Sequence, residues 1–193
     1  SNSNFSVVLS APTPSRVIIA VPHDVLIAND FAGMFDERTS GVSVRDARVL
    51  PIALNIVLEG LKLGVSIDAV RFLMARTFVD ANRALPNKPN LDPDTKKQTA
   101  LSDPLLASVY NNYHGELCTL VERSIAAFGA KDVLFIDLHG FRHQPDIAPI
   151  EGYDLILGTA NRETIPHGDV DNTLTRFMEE LGYKVFLPGD EPV

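Results

Sequence analysis

Cysteine is nearly absent: Cys118 is the only one among 193 residues, so no intrachain disulfide can form. A lone thiol fits a reducing compartment, and a cytoplasmic location is expected. No apolar run approaches the ~20 residues that span a bilayer. The amino terminus has neither the basic nor the apolar zone of a secretory leader. Positive charge is scarce as well. The balance of 17 Lys and Arg against 25 Asp and Glu gives a net charge of −8. That argues against a nucleic-acid or anionic-membrane surface, so neither kind of partner is expected. Several catalytic signatures are missing. Without a G-x-S-x-G elbow, the segment Leu138-His139-Gly140-Phe141 does not make a serine hydrolase. There is no P-loop and no G-x-G-x-x-G, which leaves nucleotide binding unsupported. HExxH, CxxC and the facial triad are absent, and the residue three after His23 is Leu26, so no His-x-x-Glu pair exists.

What is present is ordinary globular composition, in a length that suits one domain over residues 1–193. The chain is organised around residues 132–140, DVLFIDLHG. Four apolar residues between turn signals predict a strand at 133–136 covered on both faces. It delivers Asp137 and His139 at its carboxyl end. A second strand of the same kind, RVIIAVP at 16–22, ends in His23. In open α/β sheets, ligands bind at such strand ends.

Around these lie a short edge strand or hairpin arm at 5–10 and an irregular site-wall loop over 24–41. An apolar helix follows within 43–63. Ser43 and Asp46 read as its capping box, and Pro51 must kink it or move its start later. Residues 68–72 predict a short turn or strand, and the proline-rich stretch 85–100 a mobile loop. Asp103-Pro104 caps a helix over 104–128, which Gly129 stops. A strand at 153–158, a helix at 170–181 with its apolar face on Leu174, Phe177, Met178 and Leu181, and a strand at 183–187 complete the pattern. Strands alternating with helices predict an α/β sandwich with a mainly parallel sheet.

Two strand-end histidines admit a metal reading, because zinc takes neutral imidazole and carboxylate ligands. Two unrelated loop histidines are the alternative. Asp46 and Asp24 are candidates for a third ligand, and Asp46 serves equally well as a cap. Asp24 is the weaker of the two, since adjacent side chains in an extended segment point apart. Within Asp80-Ala81-Asn82-Arg83, Arg83 is suited to grip a carboxylate in bidentate fashion, and Asn82 adds a directed donor. Arg76 can do the same or polarise a carbonyl. Such local positive charge in an acidic chain suits an acidic small molecule. His114 reads as a half-buried, satisfied histidine and Cys118 as packing; His143 and His167 carry no assignment.

Taken in order, Val21-Pro22-His23, Arg76 with Asp80-x-Asn82-Arg83, Tyr113-His114, Asp137-Leu138-His139-Gly140 and Asp154-x-x-x-Gly158-Thr159 form a recognisable set. The set resembles the N-formylglutamate amidohydrolase family, relatives of the zinc carboxypeptidase and acyl-glutamate deacylase group. It spans about residues 16–190. The resemblance implies a three-layer α/β/α sandwich with a mainly parallel or mixed sheet, phosphorylase/hydrolase-like. It implies zinc as cofactor, with His23, His139 and Asp46 as ligands. Asn82 and Arg83 would bind the substrate carboxylate with Arg76 as companion, and Asp137 would orient a ligand. The implied reaction is hydrolysis of the amide of an N-acylated acidic amino acid.

Two departures stand out. The family has Gly or Ser-Gly after Pro-His where this chain has Asp24-Val25, which leaves the acyl group open. The family also takes its carboxylate general base from a later segment, so further strands are expected beyond 189–193. A non-catalytic α/β domain that binds an acidic small molecule, or an amidase acting on a different peptide or cell-wall amide, therefore stays open beside the first reading.

Overall fold

The computed structural model describes residues 5–25, 33–38, 41–85, 100–141, 152–160 and 162–187. The 85–100 loop, His143 and the 189–193 end fall wholly or almost wholly outside them. The chain divides into two compact units, Ser1–Gly140 and Phe141–Val193.

The first unit holds four strands, β1 (Ser6–Leu9), β2 (Val17–Val21), β3 (Ile67–Phe72) and β4 (Leu134–Asp137), in the order β1-β3-β2-β4. β2 pairs in parallel with β3 and β4, and β1 joins antiparallel at the edge. The sheet is therefore mixed and mainly parallel, as expected. Side-chain alternation along β2 divides the core between two faces. Ile18 and Ala20 point to one face, where Val70 and Phe72 meet Val109, Tyr113, Leu117 and Leu120 of α2 (Ala107–Phe128). Ile19 and Val21 point to the other, against Ala69 and against Val49 and Ala53 of α1 (Val49–Lys62). Helices on both faces make the three layers. Among the described residues, no helix is long and apolar enough to cross a membrane.

Proline decides where α1 begins. With the start at Val49, Pro51 falls in the first turn, where its missing N–H is not required. The Ser43/Asp46 capping box does not form. The N-cap position is Arg48, in the left-handed region at φ 72° and without a side-chain cap bond. The carboxylate of Asp24 instead accepts the Leu50 N–H from outside the helix. Asp103 behaves as its sequence suggests and accepts the Leu105 N–H at 2.8 Å. It caps a single 3-10 turn, Pro104–Leu106, which runs into α2. α2 closes at Gly129, φ +82°.

Two expectations fail here. β4 is not covered on both faces: among the described residues it is an edge strand, and Phe135 is 45% exposed. Cys118 is exposed rather than packed, because Leu117 and Leu120 occupy the inward face of α2.

In the second unit, β5 (Leu155–Ile156) pairs in parallel with β6 (Val185–Phe186), and α3 (Val170–Glu180) lies between them in sequence. Both strands are shorter than the apolar runs that announced them. The expected apolar face of α3 is largely uncovered, with Phe177 55% exposed. Arg162, at φ 68°, is held by the Gly168 carbonyl and by the buried Asp171 carboxylate, at 2.9 Å each.

Candidate active site

Parallel pairing aligns the carboxyl ends of β2 and β4. Ala20 pairs with Asp137, and the Leu138 N–H donates to the Ala20 carbonyl at 2.9 Å. The chain then places His23 just past the end of β2 and His139 just past the end of β4, side by side. Their ring centroids lie 5.2 Å apart. The turn after β3 brings Arg76, Asp80 and Asn82 to the same end of the sheet. Asp46 arrives from the segment before α1, its N–H donating to the His23 carbonyl at 2.8 Å. Gly140 lets it close in, since a Cβ there would lie 3.3 Å from the Asp46 Cβ.

The two imidazoles sit in opposite electrostatic environments. His23 is 1% exposed. Its Nε2 faces Asp80 Oδ1 at 3.2 Å, and among the described residues its Nδ1 has no hydrogen-bond partner. Burial lowers its pKa; the Asp80 carboxylate opposes that shift without cancelling it, and the ring stays neutral. His139 lies between two carboxylates, Nδ1 2.9 Å from Asp46 Oδ2 and Nε2 3.0 Å from Asp137 Oδ2. Burial again opposes charge on the ring, but the hydrogen bonds that the ring donates to Asp137 and Asp46 outweigh it and raise the pKa to about 9. The positive charge that these carboxylates attract is carried here by the His139 proton.

Asp80, marked in the sequence only as part of its motif, is the hub of the buried half of the site. It is fully buried. Besides His23 it meets Arg76 Nε at 3.1 Å, Arg38 Nη2 at 3.4 Å and the Asn82 N–H at 3.0 Å. Burial alone would raise its pKa, but His23, Arg76 and that N–H hold it well below the usual carboxylate range. Arg38 carries no sequence signal at all, since it lies in an irregular segment outside every motif.

Each candidate residue has a definite place. Arg76 Nη1 also approaches Asp46 Oδ1 at 3.6 Å, which joins the two acids. Asn82 Nδ2 donates to Asp137 Oδ2 at 2.6 Å and lies 2.7 Å from His139 Nε2, to which it can donate only when that nitrogen carries no proton. Arg83 is half-buried and donates to the Asn82 carbonyl at 3.2 Å. Asp24 points away to cap α1, as alternation in an extended segment requires. His114 is half-buried, its Nε2 3.0 Å from the Ala81 carbonyl and its ring 4.2 Å from that of Tyr110. It therefore braces the 80–83 turn, as a satisfied histidine.

The fold has counterparts among solved structures. The fold is shared with an N-formylglutamate amidohydrolase. That protein, from Ralstonia eutropha, superimposes with a TM-score of 0.65 at 16% identity, over 97% of this chain and 77% of its own. A gene product of Agrobacterium tumefaciens superimposes at 0.62 and 15% identity, over 97% and 73%. At these identities the relationship is a distant one of fold, and it gives no support to a relation with the zinc carboxypeptidases. No protein-family model matches the chain, and no curated protein sequence matches it.

Among the described residues, no group of three or more His, Cys, Asp or Glu side chains is arranged to hold a metal ion. In kind, the donors fit zinc. Two adjacent imidazoles and the Asp46 carboxylate are the ligand types zinc takes. Among the described residues, the buried Nδ1 of His23 has no other partner. Asp80 and Asp137 face the Nε2 atoms of His23 and His139 respectively, where carboxylates orient ligating imidazoles.

Proposed function

We propose that the chain is a zinc-dependent amidohydrolase that cleaves the amide of an N-acylated acidic amino acid of the N-formylglutamate kind. The observation that carries this reading is the meeting of His23, His139 and Asp46 at the carboxyl ends of parallel strands. The fold shared with an N-formylglutamate amidohydrolase supports it.

In this reading His23, His139 and Asp46 would hold the metal. Bound zinc supplies an activated water and a polarised acyl carbonyl. Asp137 keeps the His139 ring in one orientation. Asn82 and Arg83 grip the substrate carboxylate, for which a guanidinium fork and an amide are the suitable pair. Arg76, beside Asp46 and Asp80, would offer its guanidinium to the negative charge that develops on the acyl oxygen.

The test measures zinc by elemental mass spectrometry and follows hydrolysis of N-formyl-, N-acetyl- and N-succinyl-glutamate. The expected result is about one zinc per chain, with activity lost on chelation and restored by zinc. A chain that retains no zinc and cleaves none of these amides after zinc is added overturns the reading. A second reading, binding of an acidic ligand without turnover, draws on the ion pairs that hold Arg76 between Asp46 and Asp80. Calorimetry showing glutamate-derivative binding with no hydrolysis would favour it.

A further inference from the structure

Arg38 is buried, with its side chain fully withdrawn from solvent. Its Nη1 donates to the Arg76 carbonyl at 2.6 Å and to the Val42 carbonyl at 3.1 Å. Its Nη2 lies 3.4 Å from Asp80 Oδ2, and its backbone N–H donates to the Thr77 carbonyl at 2.8 Å. One guanidinium thus ties the segment leading to Asp46 to the turn that carries Arg76 and Asp80. Asp80 in turn presents its other oxygen to His23 Nε2. A carboxylate in that position favours the proton on Nε2 and leaves the lone pair on Nδ1.

We propose that Arg38 is a positioning residue for this site: it holds Asp80 against His23, and so fixes which His23 nitrogen is free to bind. A guanidinium suits the task because its planar fork reaches two carbonyls and a carboxylate at once, which a lysine ammonium on a flexible stem cannot do with the same geometry. The proposal deepens the amidohydrolase reading, and only the zinc arm of its test rests on that reading.

The test compares the full chain with Arg38→Met by ¹⁵N spectroscopy of the imidazole nitrogens, without metal, and by zinc competition against a chelator. In the parent, His23 should show one tautomer, with the proton on Nε2. In Arg38→Met the two nitrogen shifts should move together toward tautomer exchange, and zinc affinity should fall about 10–100-fold, the usual cost of losing an outer partner of a metal ligand. Circular dichroism and a cooperative thermal transition establish that the variant is folded. If it is not, Asp80→Asn tests the same link, with the same loss of a single tautomer expected. A His23 signal unchanged in the folded variant overturns the proposal. If the parent takes up no zinc, the amidohydrolase reading fails, and the ring-nitrogen shifts still decide the role of Arg38.

Discussion

Asp46 reaches His139 across 93 positions of sequence, its Oδ2 2.9 Å from the ring Nδ1. The contact holds a carboxylate from the segment before α1 against a histidine from the end of β4, and it supplies part of the field that keeps His139 charged. Asp46→Asn should therefore lower the His139 pKa from about 9 toward its ordinary 6.5 in metal-free protein. Proton NMR titration of the ring reads this directly. The same variant should bind zinc at least about tenfold more weakly, given the loss of a charged ligand.

Opposite shifts in the two histidines predict how stability of the metal-free chain follows pH. His139 is raised to about 9 from 6.5, so its contribution is fully present below pH 6.5 and is lost as pH rises through 9. With its ring a third exposed, that contribution is on the order of 1 kcal/mol. His23 acts in the other direction. Its lowered pKa means that the unfolded chain takes up a proton the fold refuses, so stability also declines as pH falls below 6.5. Urea denaturation at pH 5, 6.5 and 9.5 should place the maximum at the middle value. A curve that climbs steadily to pH 9.5 would contradict the charged state of His139.

Gly140→Ala tests the close approach behind the Asp46 contact. The added Cβ meets the Asp46 Cβ at 3.3 Å, its Cα at 3.5 Å and Val49 Cγ2 at 3.5 Å. Because a backbone atom is among these neighbours, the segment must shift by a few tenths of an ångström. Stability should fall by about 1 kcal/mol, within the usual range for overpacking. Zinc affinity should fall further than that stability loss would suggest, as read by chelator competition.

Asp24→Ala should remove the cap on α1, at a cost of about 1–2 kcal/mol, while Asp24→Asn should keep most of the stability because an amide oxygen also accepts the Leu50 N–H. Chemical denaturation of both variants checks the difference. Equal stability for the alanine and asparagine variants would show that the carboxylate is not the cap.

Much of the architecture is legible in the residues themselves. The apolar runs ending in His23 and His139 announce β2 and β4, because short apolar stretches bounded by turn signals favour strands. Asp103-Pro104 and Gly129 bracket the second helix through local hydrogen bonding and backbone freedom. Pro51 announces that α1 must either kink or start later than Ser43, and the structure takes the later start.

The tertiary structure alone decides what each acid does. Asp46 reads equally as a cap or a ligand and faces a histidine, while Asp24, the weaker ligand candidate, caps a helix. Both choices depend on where α1 docks against the ends of β2 and β4, a matter of packing between segments far apart in sequence. Asp80 and Arg38 gain their importance in the same way, since a buried charge counts only through the partners that surround it. Side-chain chemistry and short-range periodicity are properties of the chain; the pairing of charges at the end of a sheet belongs to the fold.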